Sequence, residues 1–194
     1  MNMRILLAAA AAVATVAVAG PAKANLITNG NFATGDFTGW SQSGDLNGGS
    51  SVGSSGNPSQ PSGPGFGNSA YLGTAGGIFD LGQAFSTVAG QTYDLTFFLQ
   101  ADGGPGTFTT DIDNVQVAQA SVTGATDWNA YDIAFTATGA LTQLDFLVSN
   151  DPSFFELTDV NVPEPSTLAL MLVGVVGLVG YSVRRRGAVP ASFA

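Results

Sequence analysis

Carboxylates are the main reactive groups that this chain could bring to a ligand or a reaction. Its 194 residues include 14 Asp and Glu but neither His nor Cys, and the formal net charge is −9. This composition excludes thiol nucleophiles, thiolate metal sites and imidazole bases. Oxygen chemistry remains, either binding of a hard cation such as Ca²⁺ or glycoside hydrolysis by paired carboxylates. The negative charge also excludes nucleic acid as a partner, because phosphates would be repelled.

The spacing of the carboxylates does not select a catalytic pair or a calcium loop. Asp111 and Asp113 begin like an EF-hand loop, but Val115 and Val122 stand where that loop needs oxygen ligands. A serine nucleophile would lack a His or Lys base in the central part of the chain. We therefore expect no catalytic residues and no enzyme activity. A hydrolase with two carboxylates in a cleft is the weakest alternative.

Aromatic side chains beside polar groups could bind a sugar. Trp128 stands between Asp127 and Asn129, and Tyr131 follows shortly after. Rings of this kind offer an apolar face together with a polar edge. Trp128 and Tyr131 are therefore the candidate ligand-binding residues, whereas Trp40 is expected in the core. A carbohydrate-binding module with a defined glycan ligand is accordingly an alternative function.

An all-β domain must position these residues. Every second side chain is apolar in residues 93–100, 131–136 and 143–148, which is typical of strands with one buried face. A last strand is predicted from Phe155 to Val162. Many short strands separated by turns favour an antiparallel β-sandwich over residues 25–162. Shorter strands are predicted at 70–72, 78–81, 84–88, 108–112 and 115–118.

Residues 44–69 differ in composition from the rest of this domain. They consist almost entirely of Gly, Ser, Asn, Pro and Gln. Such a segment buries too little apolar surface to order itself. It is predicted to be a flexible loop within the domain.

The N-terminal segment 1–24 has the pattern of a secretory signal peptide. Arg4 precedes the apolar stretch Ile5–Ala19, and the small residues Ala22 and Ala24 fit a cleavage site. Cleavage is therefore predicted before Asn25. All five basic residues lie in the two terminal segments, so the central domain is expected to be exported without any positive side chain.

The C-terminal segment has the pattern of a membrane helix. Residues 168–183 carry no charge and are followed directly by three arginines. This length is close to the roughly 20 residues that span a bilayer core. The arginines are expected on the cytoplasmic side, so residues 187–194 would be a cytoplasmic tail. The three cations are Arg184, Arg185 and Arg186.

A short proline motif precedes this span. Pro163, Glu164 and Pro165, the apolar span and the arginine cluster together resemble the PEP-CTERM sorting signal over residues 162–186. The resemblance implies export of a bacterial envelope protein, transient anchoring in the inner membrane, processing by an exosortase and delivery to the cell surface or the medium. Residues 187–194 extend beyond the point at which such tails usually end.

A second resemblance covers the central domain. Several segments are similar to segments of envelope proteins with this tail, whose domains look like galactose-binding-type jelly rolls; they are residues 25–32, 34–40, 81–85, 88–93 and 150–154. That likeness implies a jelly-roll fold and a Ca²⁺ ion between the N-terminal segment and the last strand, held by Asp36 and Asp159. Ala33 and Thr158 replace carboxylates that many relatives have there.

These observations predict an exported envelope or extracellular-matrix protein rather than a catalyst. Its role is expected to be structural or adhesive, at the surface or in the exopolysaccharide matrix. Its expected partners are the exosortase, the inner membrane before processing, and extracellular polysaccharide.

Overall fold

The computed structural model describes residues 24–54 and 67–165. The predicted signal peptide up to Lys23, the span 168–183, Arg184–Arg186 and the tail 187–194 therefore lie outside the described residues. The middle of the predicted loop 44–69 lies outside them as well. Within the described part of the chain, no helix combines the length and the hydropathy that a membrane crossing needs.

The described residues form an all-β sandwich of two five-stranded antiparallel sheets. One turn of 3-10 helix at Leu46–Gly48 is the helical element within them. Their ten strands are β1 Ser41–Gly44, β2 Ser51–Gly53, β3 Ser69–Leu72, β4 Phe79–Ser86, β5 Thr92–Ala101, β6 Gly106–Ile112, β7 Val115–Val122, β8 Asn129–Thr136, β9 Leu141–Asn150 and β10 Phe155–Asn161.

The two sheets have different strand orders. The first sheet, called the β4–β9 sheet below, runs β1-β4-β9-β6-β7. The second, called the β5–β10 sheet, runs β2-β3-β10-β5-β8. Most neighbouring strands are not consecutive in sequence, as expected of a jelly roll, in which the chain alternates between two sheets. The predicted fold class is confirmed.

Aromatic side chains fill the space between the sheets. Phe97 of β5 contacts Phe108 of β6 and Phe146 of β9, with ring centroids 6.1 Å and 5.3 Å apart. Phe108 and Phe146 lie 5.2 Å apart. All three rings are almost completely buried. The alternation that predicted β5 therefore separates core residues from solvent-facing ones, since each inward side chain packs on the opposite sheet.

Residues 25–40, which precede β1 and are called the N-terminal segment of the domain below, close the core against β10. Phe32 is fully buried and stacks on Trp40, with ring centroids 5.7 Å apart, so the expected core position of Trp40 is confirmed. The Trp40 indole N–H donates to the carbonyl oxygen of Asn29. A Cβ at Gly30 would collide with the carbonyl oxygen of Val160. Only glycine permits this close approach of residue 30 to β10.

Two predicted boundaries were wrong. The two strands predicted at 78–81 and 84–88 are parts of one continuous strand, β4, which runs from Phe79 to Ser86 and leaves out Ile78, Thr87 and Val88. The sequence around Gly82 indicated a break, but Gly82 pairs with Asp145 of β9 in regular register. β1 was missed, because its four residues are all exposed and show no apolar alternation.

The segment 44–69 is not a loop throughout. It contains the 3-10 turn and β2, and β3 begins at Ser69. Asp45 explains part of this order, because its carboxylate accepts hydrogen bonds from the main-chain N–H groups of Asn47, Ala75 and Gly77. Composition alone predicts disorder here, since it does not reveal such side-chain caps.

Replacing Phe146 by alanine should destabilise the domain strongly. We expect Phe146→Ala to lower the free energy of unfolding by about 3–5 kcal/mol, because it removes a ring packed on two others. Urea denaturation followed by tryptophan fluorescence measures the change. Leu141→Ala is the matched control, since Leu141 is 62 % exposed. Similar losses in both variants would contradict the described core.

Candidate functional site

The outer surface of the β4–β9 sheet carries a cluster of carboxylates that we call the acidic face. It consists of Asp80, Asp111 and Asp145 with three polar neighbours, Ser41, Ser43 and Gln143. Asp111 of β6 and Asp145 of β9 are direct cross-strand partners. Asp145 in turn pairs with Gly82, and Gly82 with Ser41. Antiparallel pairing thus aligns polar side chains from four strands on one side of the sheet.

The absence of a side chain at Gly82 makes room for one of these carboxylates. A Cβ at this position would collide with Oδ1 of Asp145 and would lie 3.1 Å from Oγ of Ser41. The side chain of Gln143 donates a hydrogen bond of 2.6 Å to the same oxygen of Asp145. Gly82 and Gln143 therefore hold Asp145 across the middle of the acidic face.

Burial and mutual repulsion shift the pKa values of two of the aspartates. Burial raises the pKa of Asp80, the Asp145 charge adds to this, and a hydrogen bond from Ser43 at 3.1 Å opposes it. Burial also raises the pKa of Asp111, again with a contribution from Asp145. One oxygen each of Asp80 and Asp111, Oδ1, is buried without a hydrogen-bond partner. The three aspartates are themselves partly exposed, so the face can accept hydrogen bonds from hydroxyl groups or attract a cation through their accessible atoms.

The acidic face does not have the geometry of a metal centre. Among residues 24–54 and 67–165, no group of three or more Asp or Glu side chains could hold a metal ion. Sequence reasoning missed this face, because its members come from separate strands. The available signal was that each aspartate occupies a polar position in an alternating strand.

The predicted calcium residues lie in two different local environments. Asp36 is exposed, and its Oδ1 accepts hydrogen bonds from Thr34 Oγ1 at 2.7 Å and from the Thr38 N–H at 2.9 Å. Hydrogen bonds from Thr38 and Thr34 lower the pKa of Asp36. Asp159 lies in an irregular part of β10 with a φ of +54°. The adjacent Val160 N–H donates to the carbonyl oxygen of Gly30, so Asp159 adjoins the N-terminal segment.

This arrangement suits a calcium site only in part. Ca²⁺ takes six to eight oxygen ligands, and two carboxylates supply a minority of them. One oxygen of Asp36 already stabilises its own loop. The calcium site at Asp36 and Asp159 stays a prediction.

The structure does not place Trp128 and Tyr131 together as an exposed platform. The ring of Tyr131 stacks on Phe97 with centroids 4.8 Å apart and planes only 4° from parallel, so one of its faces is covered. Burial raises the pKa of Tyr131. Trp128 is partly exposed, and its indole N–H is buried without a hydrogen-bond partner. Of the two, Trp128 is the better candidate for contact with a ligand.

The proline motif is paired with the N-terminal segment. Asn25 and Pro163 form an isolated antiparallel bridge directly after β10. The Leu26 N–H donates to the carbonyl oxygen of Val162 at 2.9 Å, and the Glu164 N–H donates to that of Ala24 at 3.1 Å. The predicted cleavage residues Ala24 and Asn25 therefore adjoin the motif, whereas Ala22 lies outside the described residues.

A shallow cavity of about 210 Å³ adjoins this pairing. Its walls come from the N-terminal segment, the end of β4, the start of β5 and the proline motif. Leu26, Val88, Tyr93, Glu164 and Pro165 are among the residues that line it, so the cavity lies directly beside the sorting-like proline motif.

Comparison with known proteins identifies the C-terminal segment. Residues 161–186 match the PEP-CTERM protein-sorting motif. This motif indicates export and a membrane-anchored sorting signal that precedes exosortase processing. No curated protein sequence matches the chain.

Solved structures show the same fold. The carbohydrate-binding module TmCBM61 in complex with β-1,4-galactotriose matches with a TM-score of 0.57 at 18 % identity, over 72 % of this chain and 97 % of that one. The enzymatically active domain of bacteriophage CBA120 tailspike protein 4 matches with a TM-score of 0.55 at 16 % identity, over 71 % of this chain and 21 % of that one. At such identities the likeness shows the jelly-roll fold alone.

Neutralising Asp111 should stabilise the domain at neutral pH. The folded state holds this proton to a higher pH than the unfolded state, so ionisation of Asp111 opposes folding. We expect Asp111→Asn to raise the free energy of unfolding at pH 7 by less than about 1 kcal/mol, since solvent screens partly exposed carboxylates. The gain should vanish below about pH 3.9, the ordinary pKa of Asp, where both states are protonated.

Asp36→Asn provides a control of opposite sign. The pKa of Asp36 is lowered, so ionisation of Asp36 favours folding, and Asp36→Asn should be less stable than the wild type at pH 7. This difference should shrink as the pH falls, because the wild type then loses the ionised form. Melting temperatures across the acidic range measure both effects. Equal signs for the two variants at pH 7 would contradict the described environments.

Proposed function

We propose that this chain is an exosortase-processed surface protein whose β-sandwich acts as a structural or adhesive component of the extracellular polysaccharide matrix. The observation that carries the proposal is the continuity between domain and sorting signal. β10 ends at Asn161, and Pro163 follows after a single residue. The sandwich itself is therefore the cargo that the sorting signal delivers.

The acidic face supports an adhesive role. It exposes carboxylate, amide and hydroxyl groups, and the chain has no Lys or Arg between Lys23 and Arg184. The partly exposed carboxylates of Asp80, Asp111 and Asp145 can accept hydrogen bonds from sugar hydroxyl groups. An acidic polysaccharide would be repelled unless divalent cations bridged the charges. We therefore propose neutral segments of a polysaccharide as the contact, with Ca²⁺ at Asp36 and Asp159 as an additional proposal.

Catalysis is not part of this proposal. Asp111 and Asp145 are paired carboxylates, and Asp111 has a raised pKa. A glycosidase needs such a pair on either side of a bound sugar ring in a cleft. Here both stand on the outward side of a sheet, with Gln143 bonded to Asp145. Their position favours binding over hydrolysis.

A carbohydrate-binding module with a defined glycan ligand is the second candidate. The partly exposed Trp128 favours it, because an exposed part of an aromatic ring can cover the apolar face of a sugar. The shared fold with TmCBM61 makes β-1,4-galactan the first glycan to test. In this case a single oligosaccharide would bind far better than others.

Disruption of the sorting motif should stop processing of the tail. In the native host, the wild-type chain should be recovered without residues beyond about 163–167, as measured by intact mass. Pro163→Ala combined with Glu164→Ala should leave chains that end at Ala194 and stay with the membrane. Ser149→Ala is a control on an exposed side chain. Wild-type protein that ends at Ala194 would contradict the proposal and leave a permanently anchored domain.

Neutralising the acidic face should weaken binding to polysaccharide. Affinity electrophoresis of the processed protein in gels that contain host exopolysaccharide measures this. We expect Asp80→Asn, Asp111→Asn and Asp145→Asn together to weaken retardation by about tenfold or more. Asp132→Asn, an exposed position on β8, is the matched control. Loss only in Trp128→Ala, with selective binding of galactan, would favour the second candidate. Release of reducing ends during the assay would contradict both.

A further inference from the structure

The two ends of the described chain form a short ribbon, which we call the terminal ribbon. It consists of residues 24–26 paired with residues 162–164. Two main-chain hydrogen bonds hold it, from Leu26 to Val162 and from Glu164 to Ala24. The predicted signal-peptide cleavage point between Ala24 and Asn25 lies inside this ribbon. One proteolytic event would therefore alter the surroundings of the sorting motif directly.

The positions of the prolines give the sorting motif two unlike edges. Asn25 and Pro163 form a non-hydrogen-bonded pair of the ribbon, because the main-chain bonds on either side of them join the flanking residues. The missing N–H of Pro163 is therefore not needed in the ribbon. Pro165 lies two residues further on, so in an extended strand its main chain faces the same edge as that of Pro163. Glu164 lies between them and is the only residue of the three that has a main-chain N–H.

Glu164 directs its N–H toward the N-terminal segment. In an extended strand, the N–H and C=O of one residue point to the same edge, and those of the next residue point to the other. The Glu164 N–H is engaged by the Ala24 carbonyl oxygen. The opposite edge of the motif offers no donor at either proline. A partner strand that needs a main-chain donor from this motif must therefore use the edge that Ala24 occupies.

The side chain of Asn25 holds the end of β10 independently of Ala24. Its Oδ1 accepts hydrogen bonds from the N–H groups of Val162 at 2.9 Å and Ile27 at 3.0 Å. Its Nδ2 donates to the carbonyl oxygen of Val160 at 3.0 Å. These bonds, and the one from Leu26 to Val162, remain when residues up to Ala24 are removed. The chain thus stays fixed as far as Val162 while Glu164 is released.

We propose that the Glu164 edge of the motif is the surface on which the exosortase adds a strand, and that signal-peptide removal exposes it. This inference rests on the proposed function. Hydrolysis of the Ala24–Asn25 peptide bond consumes one water and leaves a carboxylate on Ala24 and an ammonium group on Asn25. Ala24 leaves with the signal peptide, so the Glu164 N–H loses its acceptor and can bond to a partner strand. Signal-peptide cleavage then precedes tail removal.

Blocking the first cleavage should delay the second. Ala24→Leu in the full chain replaces the small residue that the signal peptidase needs but keeps the main-chain carbonyl that engages Glu164. In the native host, pulse–chase labelling with intact-mass analysis should show tail removal at least about fivefold slower than in the wild type. The mass also verifies that the signal peptide is retained.

Opening the ribbon should restore tail removal although the signal peptide is still present. Ala24→Leu with Leu26→Pro removes the N–H that bonds to Val162. Ala24→Leu with Asn25→Ala keeps the two main-chain bonds but weakens the ribbon, because it removes the Asn25 side-chain bonds to Val160 and Val162 that hold its two strands together. This variant serves if the proline variant lacks the fluorescence of a buried Trp40. Ala24→Leu with Leu141→Ala is the control, because Leu141 is exposed and outside the ribbon. We expect recovery in the first two and none in the control.

Three outcomes would overturn the inference. A signal-retaining Ala24→Leu chain that loses its tail at the wild-type rate would show that the edge is not blocked. Continued delay in a folded chain whose ribbon has been opened would show that the ribbon is not the cause. A wild-type chain that never loses its tail would refute the proposed function and, with it, this inference. The first two leave the proposed function intact.

Discussion

The register of the two sheets, fixed by aromatic rings packed between them, is the constraint on which the other features depend. Phe97, Phe108 and Phe146 come from three strands of both sheets and contact one another. A shift of one strand by one residue would turn its rings toward solvent and its polar residues inward. The same register places Asp111 opposite Asp145. The acidic face is therefore a consequence of core packing on the other side of the same strands.

The packing also brings residues 24–26 and 162–164, near the two ends of the described chain, to one place. β10 lies in the middle of its sheet, between β3 and β5. The N-terminal segment packs on its end, where the absence of a side chain at Gly30 permits contact with Val160. Since the sorting motif continues β10, it inherits this position beside the first residues of the domain. Folding of the sandwich and accessibility of the motif are thus physically linked.

Local sequence pattern predicted most of the fold, whereas the site needed information that the pattern lacks. Period-two alternation indicated β5, β8 and β9, because each turns one face toward the core. β1 has no buried face and gave no such signal. The order of segment 44–54 depends on Asp45, which bonds to residues some thirty positions away. The acidic face and the terminal ribbon depend on pairing between distant strands, which one sequence does not specify.

The carboxylates fall into two groups, those whose ionisation stabilises the folded state and those whose ionisation destabilises it. The domain has no positive side chain to pair with them, so hydrogen bonds must stabilise each ionised group. Asp36 and Asp45 accept several such bonds within their loops, and their pKa values are lowered. Asp80 and Asp111 each keep a buried oxygen without a partner, and their pKa values are raised. Groups that oppose folding yet stand together on one face are where a binding surface is expected, because function and not stability is then the reason for their presence.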